Sequence, residues 1–291
     1  YKPSSCFNCD KHYKGRGFVL KLFKEELKVI NIGSPSFIKD YEIQEVDHLH
    51  LAWRPPANGD KELIAALEVI ERNRDKISEA NDTMINKVKK AQGKLIAVKK
   101  AIDVIPGMDQ YTILHAGPPI KWENMAGPMQ GAIIGALMYE GLATNADDAK
   151  RLASSGKIKF SPNHEHKAVG PMAGIISPSM PVHVLYDDVH DNYAYCNINE
   201  GLGKVLRFGA NDEEVIKRLR WIRDVFANVL DEALQIASGI DVKNIIAQAL
   251  HMGDECHNRN KAATSLFFRE IVEPIMKTNF DNTQKEALNK T

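Results

Sequence analysis

The hydrophobic pattern of the first third is that of alternating strands and helices. In "LKVINIGSPSF", Val29, Ile30 and Ile32 predict a short buried strand that Gly33 ends. Ser34 or Ser36 is placed to cap a short helix. "VDHLHLAW" predicts a second strand, closed by the turn "RPPANGD". Leu63, Ile64, Leu67 and Ile70 then recur at helical spacing between Asp60 and Asn73. A second helix over 77–91 carries Ala80, Met84, Ile85 and Val88. Gly93 stops it, and "KLIAV" predicts a third strand. This opening is Rossmann-like, but it has no G-x-G-x-x-G, so no dinucleotide is indicated.

The texture changes in "IPGMDQYTILHAGPPIKWENMAGPM", which holds three Gly and four Pro in twenty-five residues. Long irregular segments of this kind tend to be functional. A small-residue helix is expected from about 130 to 142, and another behind the cap Asn145, with Asp147 and Asp148 in its first turn. "KIKFS", "GIIS", "PVHVLYDD" and "NYAYCNIN" alternate between Gly, Pro and Asp boundaries and predict a small antiparallel sheet. The last third is helical. Asn211 is the expected cap of a long helix whose buried stripe runs through Val215, Leu219, Ile222, Phe226, Val229, Leu230 and Ala233 to Gly239. Asp241 starts another helix, and a third spans about 260–277.

The fold class read from this pattern is α/β, with a Rossmann-like N-terminal β-α-β part, an irregular middle with a small antiparallel sheet, and a helical C-terminal part. The expected divisions are 1–26, 27–110, 111–210 and 211–291. Residues 1–26 read as a basic leader; its Cys6-x-x-Cys9-x-x-His12 offers three of the four ligands a structural zinc needs.

Composition narrows the function. Thirty-eight basic residues offset 38 acidic ones, so no net field favours nucleic acid or an anionic membrane. Any anion specificity has to come from a local pocket. No window has the length and apolarity of a membrane span, and no secretory signal opens the chain. Four cysteines are too few for a disulfide framework at this length, so a cytoplasmic, reducing compartment is expected.

Polar and titratable residues gather in four segments, each beside Gly or Pro. They are "LHAGPPIKWENMAGPM" (His115, Lys121, Glu123, Asn124), "NHEH" (His164, Glu165, His166), "NINEGLGKVLRFG" (Asn199, Glu200, Lys204, Arg207) and "HMGDECHNRN" (His251, Asp254, Glu255, His257, Asn258, Arg259). Glycine lets backbone N–H groups approach a ligand, and successive N–H groups make an anion nest. On a strand, His164 and His166 would share a face and begin a metal site, with His257 or Glu255 completing it. Set beside the other three segments, they read instead as one wall of an anion-accepting pocket that needs no metal and no cofactor. "AGPMQGAII" and "VGPMAGII" repeat a Gly-Pro-Met turn, and both turns are expected to wall that pocket.

The stretches "WRPPANGD", "HAGPPIKWENMAGPMQGAIIGAL", "FSPNHEHKAVGPMAGIISPSMPV", "NEGLGKVLRFGA" and "ALHMGDECHNRNKAATSLF" resemble the YlbE-like family over about 27–277. That family, long catalogued as of unknown function, includes the AllG-type subunit of oxamate carbamoyltransferase from allantoin breakdown. Residues 1–26 do not resemble it, and family members usually continue beyond the point where this chain stops. The resemblance implies an α/β fold with an appended helical part. It also implies two partner subunits, one FdrA-like, and interconversion of oxalurate plus phosphate with oxamate plus carbamoyl phosphate. Laid against that chemistry, Arg259 and Arg207 would take the anions. His164 or His166 would be the base or donor, because imidazole titrates near neutrality. His115, Glu123 and Asn124 would orient substrate, with Glu255, His257 and Asn258 contributing from the fourth segment. Two other classes compete: a stand-alone metal-dependent amidohydrolase using His164, His166 and His257, and a non-catalytic subunit that only binds partners.

Overall fold

The computed structural model describes residues 27–198, 200–201, 203–257 and 260–287. Cys6, Cys9, His12, Asn199, Asn258 and Arg259 lie outside the described residues. The chain divides into two units, 1–83 and 84–291.

In the first unit, β1 (Lys28–Ile32) leads through a 3-10 turn (Pro35–Phe37) and α1 (Ile38–Ile43) into β2 (Asp47–Leu51). The strands pair in parallel, Ile30 opposite Leu49 and Ile32 opposite Leu51. Ser34 caps the turn by accepting from the Ser36 N–H at 3.3 Å. The expected β-α-β unit is therefore present, but its facing is inverted. Successive strand residues point to opposite faces. Here Ile30 and Ile32 are exposed, while Asn31 is buried and donates to Ser34 O at 2.8 Å and His50 Nδ1 at 3.0 Å. α2 (Lys61–Arg72) starts at Asp60, which accepts from the Glu62 and Leu63 N–H groups at 2.9 and 3.1 Å. α3 (Arg74–Lys90) follows and runs past residue 83, its last turns falling in the second unit. The apolar stripes read on these helices are real, yet Leu63, Leu67, Ile70, Met84 and Val88 are exposed.

In the second unit, β3 (Gly93–Lys100) is followed by α4 (Ala101–Val104), β4 (Thr112–His115), α5 (Gly127–Tyr139), α6 (Ala146–Ser154) and β5 (Lys159–Pro162). Then come β6 (Ala168–Val169), β7 (Pro181–Asp187) and β8 (Asn192–Asn197). Five strands form one sheet in the order β6-β8-β7-β3-β9, where β9 is Ile240–Asp241. The "KLIAV" strand thus pairs antiparallel with β7 and extends no Rossmann-like sheet. The small antiparallel sheet also needs correction. "PVHVLYDD" and "NYAYCNIN" do pair antiparallel, but "KIKFS" pairs parallel with β4. The reason is the connection: β4 and β5 are joined through two helices, and a crossover of that length returns the second strand parallel. "GIIS" forms no strand; Ile176 makes a single bridge to Leu114.

α5 is apolar on all sides, and Ala132 to Leu137 are all buried in a core with α6, β4 and α7 (Glu213–Trp221). The long helix expected behind Asn211 is capped by Asp212 instead, which accepts from the Val215 N–H at 3.1 Å. It also contains a wider π turn (Ile222–Phe226) before α8 (Ala227–Ala237). α9 (Val242–His251), capped by Asp241, α10 (Lys261–Lys277) and α11 (Asn282–Ala287) complete a mixed α/β fold with a helical C-terminal part. No helix among the described residues is long and apolar enough to cross a membrane.

Candidate functional site

Three of the four polar segments meet at the C-terminal ends of β4 and β5. The parallel register sets His115 opposite Pro162, so His115 and Asn163 leave the two strands at one end. Ligands of parallel strands gather outside their carboxyl ends. Backbone bonds stitch the rest on. The Ala116 N–H donates to Ala173 O at 3.0 Å, and the Ala173 N–H donates to Arg207 O at 3.2 Å. The two Gly-Pro-Met turns both reach the 207–209 segment: Ala173 through that bond, and Pro128 by backbone contact with Gly209.

His115 is fully buried. Its Nδ1 lies 2.9 Å from Ala116 O, a group that only accepts, so in the neutral ring Nδ1 carries the proton. Its Nε2 is buried with no partner among the described residues. Asn163 is 4% exposed and donates through Nδ2 to Gly174 O at 2.7 Å, and its buried Oδ1 has no partner among the described residues.

His164 and His166 do not share a strand face. Pro162 ends β5, and Asn163–His166 is a 3-10 turn closed by Lys167 at φ 55. Three residues per turn put i and i+2 on different sides. His164 is exposed, while His166 is clamped: Nδ1 is 2.9 Å from Pro106 O and Nε2 is 2.8 Å from Ser161 Oγ. Ser161 Oγ is also 3.3 Å from Glu165 Oε2. With one proton, Ser161 serves either the ring or the carboxylate.

Arg207 is half-buried and ion-paired with Glu200 at 3.3 Å; its guanidinium also donates to Gly201 O at 2.8 Å. Burial pushes the Glu200 carboxyl up, and the Arg207 charge opposes that shift. Both line a cavity of about 20 Å³, room for about one water, with Tyr139, Met180 and Asn197. Glu123 and Asn124 are exposed on a 3-10 turn (Trp122–Asn124) tied to α5 by the bond from Gln130 Nε2 to Trp122 O at 3.0 Å. The fourth segment borders the C-terminal helices. Cys256 packs on the C-terminal helical core, Asp254 accepts from the Ala263 N–H at 2.9 Å, and Glu255 and His257 are exposed. Ile198, within the third segment, packs on the same core, so the third and fourth segments share it. Among the described residues no three of His, Cys, Asp and Glu are grouped to hold a metal ion.

Ser161 and Asn163 escaped the sequence reading, which weighed the titratable triplet and passed over its neutral neighbours. The available signal was the position of "SPN", polar residues around a strand-ending Pro beside a predicted site loop.

Residues 158–291 match the model of the family described as oxamate carbamoyltransferase subunit AllG. The chain is 46% identical over 269 residues to the uncharacterized protein YahG of Escherichia coli K12, covering 92% of this chain and 57% of that one. It is 42% identical over 207 residues to oxamate carbamoyltransferase subunit AllG of the same organism, covering 70% and 49% respectively. The chain thus spans about half the length of the curated relatives it matches. A crystal structure of a conserved protein of unknown function from Enterococcus faecalis V583 superposes with a TM-score of 0.72 at 48% identity, covering 74% of this chain and 52% of that one.

Proposed function

We propose that this chain is a member of the AllG group of the YlbE-like family and acts as a subunit of an oxamate carbamoyltransferase-like complex in the cytoplasm. The observation that carries this reading is the likeness to the oxamate carbamoyltransferase subunit, 42% identical over 207 residues. The reaction is phosphorolysis of oxalurate. A phosphate oxygen attacks the ureido carbonyl, the C–N bond breaks, and the departing oxamate amide nitrogen takes a proton, leaving carbamoyl phosphate. Positioning and electrostatics supply most of the acceleration in such a transfer.

Arg207 and Arg259 are the anion ligands in this reading, since guanidinium presents a fork to carboxylate or phosphate. His164, exposed on its turn, is the proton donor and base in preference to His166, whose two ring nitrogens are already engaged. Glu123 and Asn124 orient substrate from the α5 side, and Glu255, His257 and Asn258 do so from the fourth segment. The partners are an FdrA-like subunit and a third subunit. In the complex, His164→Ala and Arg259→Ala should each lower carbamoyl phosphate formation by ~100-fold, the usual scale for losing a positioned acid–base or charge contact. Unchanged rates in both would remove these assignments.

A further inference from the structure

The β1–β2 pair is covered on one side only. On that side Asn31 is buried, and the His48 ring meets Tyr41 of α1 with 5.6 Å between centroids. The other side carries Ile30 opposite Leu49 and Ile32 opposite Leu51, all four 45 to 65% exposed. Parallel strands are normally buried on both faces, and a two-stranded sheet is marginal by itself. α2 does not close over this face. Its own stripe, Leu63, Leu67 and Ile70, is exposed as well, and so is Trp53 after β2. Trp53, Leu67 and Ile70 line a groove of about 710 Å³. A bare sheet face and a bare helix stripe are the two halves of one helix-on-sheet layer. Within one chain neither covers the other.

We infer that a second copy of this chain supplies the cover: two copies pair about a two-fold axis, the α2 stripe of each packing on the β1–β2 face of the other. Area and charge both favour a copy over a different partner. At half exposure each of these eight side chains leaves on the order of 50–100 Å² of apolar surface, so together they approach the ~800 Å² that each partner gives to a standard interface. That is at or above the largest apolar patch a monomer usually shows, about 300–600 Å². The groove sets Arg54 and Arg74 against Glu68 and Glu71. Equal numbers of each sign select neither an acidic nor a basic partner, and a two-fold axis lets each sign face its complement on the other copy. Such a contact is isologous, so it closes at two copies and does not propagate. The inference stands apart from the carbamoyltransferase reading and uses none of its residues.

The test is sedimentation velocity of the full chain across a concentration series. A reversible dimer is expected. Leu49→Asp and Leu67→Asp should each raise its dissociation constant at least ~10-fold, the scale of losing one buried apolar anchor. Both positions are exposed in the single chain, so the far-UV circular dichroism of the variants should match the parent. A monomer at every concentration overturns the inference. So do dissociation constants that neither variant moves, which place the dimer on another face. A photoreactive residue then locates the contact: p-benzoylphenylalanine replaces Leu49 in a mixture of 14N- and 15N-labelled chains. The expected adducts join position 49 of one isotope to α2 of the other. Adducts confined to one isotope, whether to residues 1–26 or to 84–291, mean that the chain covers its own face and overturn the inference. Illumination in lysate that yields adducts to a different protein, with none between copies, does the same. If an aspartate variant does not fold, the isotope pattern decides alone.

Discussion

Gly131 and Gly209 touch backbone to backbone: a Cβ on Gly131 would lie 2.3 Å from the Gly209 carbonyl oxygen. Gly209, at φ +92, in turn would meet Pro128 O at 2.7 Å, and Asn211 Nδ2 donates to Gly131 O at 3.0 Å. This contact pins the first turn of α5 to the segment that carries Arg207. Gly209→Ala combines a left-handed backbone with a backbone clash, whereas Gly156→Ala at φ +79 meets nothing within 4 Å. Gly209→Ala should therefore lose about 1–3 kcal/mol more than Gly156→Ala, the range for overpacking. Urea midpoints at constant m-value measure the difference. Equal losses would mean the α5 contact is loose.

The Glu200–Arg207 pair gives a second prediction. Its side chains are 7% and 13% exposed, so removing one partner leaves the other buried without its countercharge. Arg207→Met should destabilise by about 3–5 kcal/mol, the usual cost of breaking a buried pair, and push the Glu200 carboxyl further up. Arg207→Met with Glu200→Gln should recover part of the loss. A double-mutant cycle by urea denaturation reads the coupling. Additive losses would place the pair in free contact with water.

Acid sensitivity has an assigned source. His183 on β7 faces Val98 of β3 and Cys196 of β8 in register, and burial pushes its pKa down to about 4 from 6.5. The unfolded imidazole takes a proton below 6.5, while the folded one takes it only near 4. Its stabilising contribution is therefore complete above pH 6.5 and drains as pH falls toward 4. Over that window the loss is about 3 kcal/mol. Asp109, Asp187, Asp212 and Asp224, all lowered by hydrogen bonds first of all, contribute stability above 3.8 that is lost below it. His183→Gln should flatten the stability profile between the two pH values and leave the lower acid limb in place. An unchanged slope would assign the upper limb to other groups.

What the sequence made legible follows locality. The β-α-β unit, the cap Asn145 and the helix start at Asp241 were readable because each is settled within a few residues. Strand partnership was not. "KIKFS" and "KLIAV" are short apolar runs whose neighbours are fixed by helical crossovers and by a sheet assembled from distant segments. Asn211 was a plausible cap, but Gly131 O sits within its reach and Asp212 takes the role. In the candidate site, His115 announced itself beside a Gly-Pro turn. Asn163 and Ser161 did not, because what matters about them is Gly174 O and His166 Nε2, contacts that only the folded turn creates.

The carbamoyltransferase role itself is tested by turnover. The chain is co-expressed with its genomic neighbours, and carbamoyl phosphate is measured from oxalurate and phosphate with and without this subunit. Formation that requires this subunit and falls ~100-fold with His164→Ala is the predicted result. No carbamoyl phosphate with any set of neighbours, or equal formation when this chain is omitted, would contradict it.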